Sequence, residues 1–360
     1  MKRKVLLIQQ AIPSYRVPIF NLLTESADLT VAYESGAAPE GAAFEAKKVE
    51  TFHIPRIGKV YRGGLKQLTN GYDVVINSYD TPVYAVRRLS RLKRRGFGLV
   101  HWGIGVSASY TSRYDSDDGS GAFYRSILKA SDACLFYSAY PAEKYAAQGW
   151  PKEKLFVAPN TVRVIQDDTP RKRDTLLFLG SLYPQKGFDE LLEQFELACR
   201  ENGRVPKLIL IGDGSERERI EAWVKAHGLS GRVEFTGAIF DDTVLGRYFA
   251  GAIACVSPRQ AGLTVLKSMG CGVPFITRRD AVTGGEIFNI TDGVNGVLYD
   301  TPDGLCRTIL DLTENREKYL LYGRNALAYY EECRKLSDMA DGFLAAIEYA
   351  HSKFRERSVR

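Results

Sequence analysis

Short apolar segments alternate with longer helix-like stretches along most of the chain. Segments such as Leu208-Ile209-Leu210-Ile211 are continuously apolar, which suits strands that are buried on both faces of a sheet. We predict strands at residues 5–8, 29–33, 74–77, 99–102, 133–136 and 155–157 in the first half, and at 175–179, 207–211, 233–235, 253–256 and 274–277 in the second. The alternation predicts an α/β protein with helices on both faces of parallel sheets.

The polar stretch at residues 164–174 has no hydrophobic periodicity and is predicted to connect two domains. Each half has the pattern of a doubly wound, Rossmann-like domain, and two such domains facing each other would form a cleft. The predicted first domain covers residues 1–165 and the second covers 174–339. The last helix, at 336–354, is long enough to cross back, so about 340–360 is predicted to join the first domain.

The composition is that of an ordinary soluble protein. A length of 360 residues, with 45% hydrophobic and 26% charged residues, corresponds to about two domains and excludes a disordered or fibrous chain. No apolar run reaches the roughly 18 residues of a membrane span, and the apolar start ends at Gln9, too early for a signal peptide. The six cysteines are scattered without a C-x-x-C pair, and the four histidines lack metal-ligand spacing. Reduced thiols in a cytoplasmic protein without a metal site are therefore favoured over disulfides or zinc.

Positive charge is concentrated in the first half of the chain. Residues 1–160 contain 22 Lys and Arg against 14 Asp and Glu, a net +8, whereas the remainder contains 27 against 29, a net −2. The densest cluster, at residues 87–95, is either a solvated helix end or a patch that meets an anionic membrane surface. Nucleic acid is not an expected partner, because the chain has no RNP, zinc-finger or helix-turn-helix pattern.

A second polar segment, at residues 110–120, contains the sequence TSRYDSDDGS. Its composition fits a plain surface loop or a mobile loop over a binding cleft, and both interpretations stay open. We consider a binding role for this segment because binding residues are concentrated on loops that a rigid sheet holds in position.

In doubly wound domains, ligands bind beyond the carboxyl ends of the strands. After the strand at 175–179, Gly180 permits a turn and Lys186 precedes a helix, which suits a diphosphate as well as a solvated lysine. This is not a P-loop. Gly212, after the strand at 207–211, fits an ordinary turn or a close ligand approach. The loop that ends at Ile239 has backbone amides that could bind a base edge.

Two later turns in the second half contain further candidate residues. Small residues near Ala261 and Gly262 leave room for a ligand at the start of the helix that continues through Leu263 and Thr264. Arg259 and Lys267, eight residues apart, could flank one anionic ligand there. In the other turn, Glu286 follows a glycine pair and could accept hydrogen bonds from sugar or ribose hydroxyls.

Four segments occur in an order that is specific when taken together: FLGSLYPQKGFDELLEQF (178–195), LILIGDGSERERIEAW (208–223), VEFTGAI (233–239) and SPRQAGLTVLKSMGCGVPFIT (257–277). The series resembles the nucleotide-sugar-binding half of glycosyltransferase family 4, whose fold is GT-B. In the first half, IPSYRVPIFNLL (12–23) and SDACLFYSAYPAEKYAAQGWPKEKLFVAPNTV (131–162) are similar to the acceptor domain of that family. The resemblance covers nearly the whole chain.

The resemblance implies that a sugar is transferred, with retention, from a nucleotide diphosphate sugar to a glycan or lipid-linked acceptor. Surface polysaccharide synthesis at the cytoplasmic face of the cell membrane is the setting it suggests. Lys186 would bind the diphosphate, 262–264 the donor phosphate or sugar, and 236–240 the base. No metal would be required if Lys186, Arg16 or Arg259 stabilise the leaving group. His101, at the end of a first-domain strand, would contact donor or acceptor, or else is a histidine bonded within the fold.

The chain departs from the family pattern at the two glutamates that usually lie eight positions apart. Arg259 and Lys267 occupy those positions, which puts the usual ribose contact at the second one in doubt. Ser181 stands where an arginine is usual, and Glu286 is a candidate to replace a lost hydroxyl contact. We therefore identify a divergent polysaccharide-synthesis subgroup. A non-catalytic glycan- or partner-binding GT-B protein and a nucleotide-sugar epimerase are the alternatives.

Overall fold

The computed structural model describes residues 2–79, 83–92, 95–108, 113–116 and 121–359. The described residues form two compact units. The first comprises those within Met1–Ser107, Asp115–Asn160 and Lys335–Arg360, and the second those within Ala108–Tyr114 and Thr161–Arg334.

The first unit contains a seven-stranded parallel sheet with the order β3-β2-β1-β6-β7-β8-β9. Its strands, with the separate hairpin β4–β5, are β1 (Arg3–Gln9), β2 (Ala27–Tyr33), β3 (Glu45–Lys48), β4 (Thr51–Ile54), β5 (Gly58–Tyr61), β6 (Val74–Ser78), β7 (Gly98–Gly103), β8 (Ala133–Phe136) and β9 (Leu155–Val157). Its first helices are α1 (Val17–Leu23), α2 (Gly64–Thr69), α3 (Val83–Arg91), α4 (Gly121–Ala130) and α5 (Ala139–Ala147). All six strands predicted for this half are present. Consecutive side chains of β1 are buried on alternate faces of the sheet: Val5 and Leu7 belong to one apolar cluster, and Leu6 and Ile8 to the other.

The second unit contains a six-stranded parallel sheet with the order β12-β11-β10-β13-β15-β17. The strands, with the short pair β14–β16, are β10 (Thr175–Leu179), β11 (Lys207–Ile211), β12 (Val233–Gly237), β13 (Ala252–Val256), β14 (Gln260–Ala261), β15 (Phe275–Arg278), β16 (Val282–Thr283) and β17 (Gly296–Tyr299). The helices are α6 (Phe188–Glu201), α7 (Arg217–Ala226), α8 (Asp242–Ala250), α9 (Thr264–Gly270), α10 (Pro302–Glu314) and α11 (Arg316–Cys333). All five strands predicted for this half are present, and two buried clusters cover the faces of the sheet.

The C-terminal helix, α12 (Leu336–Val359), packs on the sheet of the first unit, as the sequence predicted. Met339, Phe343 and Ile347 are buried there with the side chains of β1, β6 and β7. Gly342 permits the close approach, since a Cβ atom at this position would lie 2.2 Å from the carbonyl oxygen of Val157.

The segment predicted as a linker, residues 164–174, and the residues just before it pack along the second unit. Val162 is buried and its carbonyl accepts a hydrogen bond from the Tyr330 hydroxyl at 2.7 Å. The Gln166 side-chain amide donates to the Gly270 carbonyl at 2.9 Å. These contacts explain why the chain changes units at Thr161, before the polar stretch begins.

Membrane-spanning helices, metal-binding clusters and disulfides are absent from the described residues. Within these ranges, no helix is both long and apolar enough to cross a bilayer. No group of three or more His, Cys, Asp or Glu side chains in the same ranges is placed to hold a metal ion. The six cysteines, all of which the structure describes, form no disulfide. Burial raises the pKa of Cys255 and of Cys271 to about 12, so these thiols are protonated at neutral pH.

Candidate functional site

The strand order of the second sheet reverses between β10 and β13. In a parallel α/β sheet, this reversal opens a crevice at the carboxyl ends of the two strands, where ligands bind. The loops that follow β10 and β13 contain Gly180, Lys186 and Arg259. The structure therefore places these predicted residues at the topological switch point.

The turns after β10, β11 and β12 are bonded to one another through their backbones. Gly180 N–H donates to the Ile211 carbonyl at 3.0 Å, and Gly212 N–H donates to the Gly237 carbonyl at 2.9 Å. A Cβ atom on Gly212 would lie only 1.9 Å from the Gly180 carbonyl oxygen. The packing of these turns thus requires Gly212, and the positive φ of Gly180 (150°) favours glycine there.

Lys186 is the last residue of a 3₁₀ turn, Pro184–Lys186, that precedes α6. Its Nζ lies over Gly180, 3.1 Å from the place a Cβ atom would take. Burial lowers the pKa of this ammonium group from its ordinary value of 10.5. In the described part of the chain, no acceptor or carboxylate is bonded to it. A partly buried cation without a partner at a switch point is suited to bind an anion.

Arg259 lies beside this turn, with its Cγ 2.7 Å from the position of a Cβ atom on Gly187. Its Nε donates to Glu190 Oε2 at 3.3 Å. Glu190, in the first turn of α6, is buried. The sequence pattern did not single out this carboxylate, because an acid in a first helical turn is common at solvated helix ends.

Lys267 is committed to contacts within the protein. Its Nζ is 2.5 Å from Asp242 Oδ1 and 2.6 Å from the Arg163 carbonyl oxygen, and its side chain is buried. Lys267 and Arg259 bind different partners in the structure. Lys267 is bonded to α8 and to the connecting segment, whereas Arg259 is bonded to α6. Helices α6 and α8 pack in the two different apolar clusters of the second unit.

The segment Gly262, Leu263 and Thr264 lies close to the end of β10. The Thr264 hydroxyl donates to the Leu179 carbonyl at 3.2 Å. Among the residues that the structure describes, and apart from its own chain neighbours, none has an atom within 4 Å of the position a Cβ atom would take on Gly262, while Leu263 packs against the core. This leaves open space above Gly262, beside the crevice.

Glu286 begins a 3₁₀ turn and is buried. Its Oε2 accepts a hydrogen bond from Gly284 N–H at 2.9 Å and lies 3.3 Å from the Thr283 hydroxyl.

In the loop after β12, Ile239 is half-buried against the core and Phe240 is 91% exposed. The structure thus gives Glu286 a local bonding role and leaves the β12 loop accessible.

His101 and Arg16 belong to the first unit, and both are buried. His101 Nε2 is 3.0 Å from the Ser90 hydroxyl, and burial lowers the pKa of the ring to about 3, so it is neutral. The Arg16 guanidinium lies 5.0 Å from the Trp102 ring centre and 5.2 Å from that of Tyr137. The burial of His101 and its contact with Ser90 match the interpretation of a histidine bonded within the fold.

A polar cavity of about 400 Å³ lies in the first unit, beside the segment predicted as a loop. Asp115 lines it in a left-handed conformation (φ 57°), which is uncommon outside glycine and often marks a functional position. Its carboxylate accepts a 2.6 Å hydrogen bond from the Tyr140 hydroxyl and is paired with Lys144. Residues 110–112 and 117–120 of that segment lie outside the described residues.

The basic cluster at 87–95 spans the end of α3 and the residues after it. Arg87, Arg88 and Arg91 are exposed, and Arg95 is paired with Asp132 at 2.9 Å. Residues 93 and 94 lie outside the described part of the chain. The cluster therefore includes both a solvated helix face and one cation that stabilises the fold.

Comparison with known proteins finds sequence similarity concentrated in the second unit. Residues 173–315 match the sequence model of the family described as Glycosyl transferases group 1. The lipopolysaccharide core biosynthesis glycosyltransferase LpsE of Rhizobium meliloti is 31% identical over 199 residues, which cover 51% of this chain and 54% of LpsE. The alpha-D-kanosaminyltransferase of Streptomyces kanamyceticus is 26% identical over 153 residues, which cover 41% of this chain and 39% of that enzyme. The chain spans about half, or less, of the length of these curated relatives.

Solved structures share the fold over nearly the whole chain. Anabaena Alr3699/HepE, solved with UDP, matches with a TM-score of 0.69 at 15% identity and covers 97% of this chain and 100% of its own. Sucrose-phosphate synthase from Thermosynechococcus elongatus matches with a TM-score of 0.68 at 18% identity, covering 95% and 97%. These solved structures show that the chain has the GT-B fold, and the sequence match to the family described as Glycosyl transferases group 1 lies within its second unit.

Proposed function

We propose that this protein transfers a sugar, with retention of anomeric configuration, from a nucleotide diphosphate sugar to a glycan or lipid-linked acceptor in surface polysaccharide synthesis. The observation on which this rests most directly is Lys186. It is a partly buried ammonium group without a partner among the described residues, at the switch point of the unit that matches group 1.

The proposed chemistry needs little from the protein beyond positioning and charge. Departure of a nucleoside diphosphate builds negative charge on the phosphate oxygens, and a fixed cation stabilises that charge without reorganisation. Lys186 supplies it, and the open space above Gly262 accommodates the phosphates or the sugar. We further propose that no metal ion takes part.

The relatives support the class of substrate. LpsE is named for lipopolysaccharide core biosynthesis, and Alr3699/HepE was solved with UDP. For the acceptor, we propose the polar cavity in the first unit, where Asp115 and Lys144 offer hydrogen-bonding groups for sugar hydroxyls. Exposed arginines on α3 are proposed to meet an anionic acceptor or the cytoplasmic surface of a membrane.

A turnover assay tests the proposal. The full-length protein is incubated with UDP-glucose, UDP-N-acetylglucosamine or GDP-mannose and a lipid-linked oligosaccharide fraction, and nucleoside diphosphate release and product mass are measured. We expect acceptor-dependent release and a product whose anomeric proton coupling matches that of the donor. Binding without turnover would favour the non-catalytic alternative, and donor conversion without acceptor would favour an epimerase. An inverted product would contradict retention alone.

A further inference from the structure

A network of charged side chains surrounds Glu190 in the second unit. The Glu190 side chain is only 3% exposed, and its Oε2 is 3.3 Å from both Arg259 Nε and Arg278 Nη1. Its Oε1 accepts a 3.0 Å hydrogen bond from the Tyr299 hydroxyl. Burial raises the pKa of Tyr299, so this hydroxyl remains a donor at neutral pH. One buried carboxylate therefore holds two guanidinium groups.

Arg259 and Arg278 differ in how many of their guanidinium N–H groups are left to bind a ligand. Arg278 also pairs with Asp280, at 3.1 Å. Arg259 has a side chain that is 58% exposed, and only its Nε is bonded among the residues that the structure describes. Both of its terminal amino groups are left to form hydrogen bonds. A guanidinium fixed at Nε with free amino groups has the planar geometry that matches a carboxylate.

The strand order indicates which part of a donor would meet Arg259. The accessible loop proposed for the base follows the edge strand β12, Lys186 follows β10, and Arg259 follows β13, the next strand along. Neighbouring strands are about 4.8 Å apart. A nucleotide sugar extends in the order base, ribose, diphosphate, sugar. With the base at β12 and the diphosphate at Lys186, the sugar lies at β13, beside Arg259.

We propose that the donor sugar is acidic, as in a uronic acid, and that Arg259 binds its carboxylate. This inference rests on the proposed function, because it assigns the sugar end of the same donor site. Glu190 and Arg278 hold the local charge in place, and Gly187 permits the Arg259 side chain to lie over the turn that contains Lys186. Arg259 is thus the residue that selects the donor sugar.

Binding measurements with three probes test this assignment. UDP, UDP-glucose and UDP-glucuronate share base and diphosphate, and the two sugars differ only at carbon 6. Isothermal titration on the full-length protein is expected to give at least about 10-fold tighter binding of UDP-glucuronate than of UDP-glucose. Arg259→Gln should abolish this preference and leave UDP affinity unchanged. Arg259→Lys, which keeps the charge without the planar fork, should retain only part of it.

Arg279→Gln is the matched control. Arg279 is an exposed arginine nearby in sequence that pairs with Asp292 and Asp300, outside the network. It should keep the full preference. If the wild-type protein binds UDP but binds UDP-glucose and UDP-glucuronate with equal affinity, the inference is overturned. The proposed donor site is upheld in that case, because UDP still binds. An equal loss for all three probes in Arg259→Gln also overturns it, because Arg259 would then bind the diphosphate. If another nucleoside diphosphate binds in place of UDP, the same comparison is made with its glucose and glucuronate esters. Absence of binding by UDP, GDP, ADP and CMP alike contradicts the proposed donor site and this inference together.

Discussion

Among single residues, Lys186 is the side chain on which donor binding is expected to depend most. Lys186→Ala removes one charge-assisted contact to the diphosphate and should weaken nucleoside diphosphate binding by about 1.5–3 kcal/mol. Isothermal titration measures the change. Lys225→Ala, an exposed lysine at the end of α7, is the control and should bind normally. If Lys186→Ala binds the nucleoside diphosphate with unchanged affinity, Lys186 is not the residue that binds the diphosphate.

The lowered pKa of Lys186 predicts a proton linkage. Binding requires the ammonium form, so affinity should fall as the pH rises through the pKa of the free protein, which burial places below 10.5. At a pH near or above that pKa, binding should take up a proton. Titrations in buffers of different ionisation enthalpy report this uptake. Lys186→Gln should lack it, and an equal uptake in that variant would show that another group titrates.

Lys267 is expected to act on stability. Lys267→Met would leave the Arg163 carbonyl and Asp242 without their buried partner and should lower the free energy of unfolding by about 1–3 kcal/mol. Chemical denaturation measures this loss. Nucleotide affinity of the folded variant should be unchanged. A loss of affinity with full stability would instead support the sequence-based expectation that Lys267 binds the donor.

The sequence could predict residue types at strand ends but not their partners. Gly180, Gly212 and Lys186 follow strands that were recognisable, so their position at the edge of the sheet was predictable. The buried state of His101 and the pairing of Lys267 with Asp242 depend on tertiary contacts between distant segments. For the same reason, the spacing of Glu190, Arg259 and Arg278 in the sequence does not predict that they form a network.

Among the elements, α12 offers a clear test of close packing. Gly342→Ala should normally stabilise a helix interior by about 1 kcal/mol. Here the new Cβ would lie 2.2 Å from the Val157 carbonyl oxygen, so we expect a net loss of about 1–3 kcal/mol. Urea denaturation gives the comparison with Asp341→Ala, an exposed neighbour on the same helix, which should change stability little. A stabilised Gly342→Ala would contradict the packing of α12 on β9.

Strands buried on both faces were predictable because their apolar runs are continuous. The strands that sequence reasoning missed have weaker patterns. β3 consists of Glu-Ala-Lys-Lys at the edge of its sheet, and the hairpin β4–β5 has strands of four residues in which only Val60 and Tyr61 are buried. β17 is a four-residue edge strand, Gly296–Tyr299, placed by pairing with β15. In each of these, tertiary pairing outweighs local preference.

For the whole molecule, the order of its elements was the most informative property. Eleven predicted strands and a final helix on the first sheet define two Rossmann-like units, and all of these features are present. The connecting segment could not be assigned from its polarity, because a few apolar side chains such as Val162 decide where it packs. Donor base, acceptor and membrane contact depend on side-chain chemistry that the fold leaves open.

The most direct test of the central claim is a thermal shift series on the full-length protein with UDP, GDP, ADP and CMP at equal concentration. At about 100 times its dissociation constant, a bound nucleotide stabilises the protein by about 2.7 kcal/mol, a shift of several degrees. We predict that one nucleoside diphosphate gives a clear shift and that Lys186→Ala reduces it. No shift with any of the four would contradict a working donor site at Lys186.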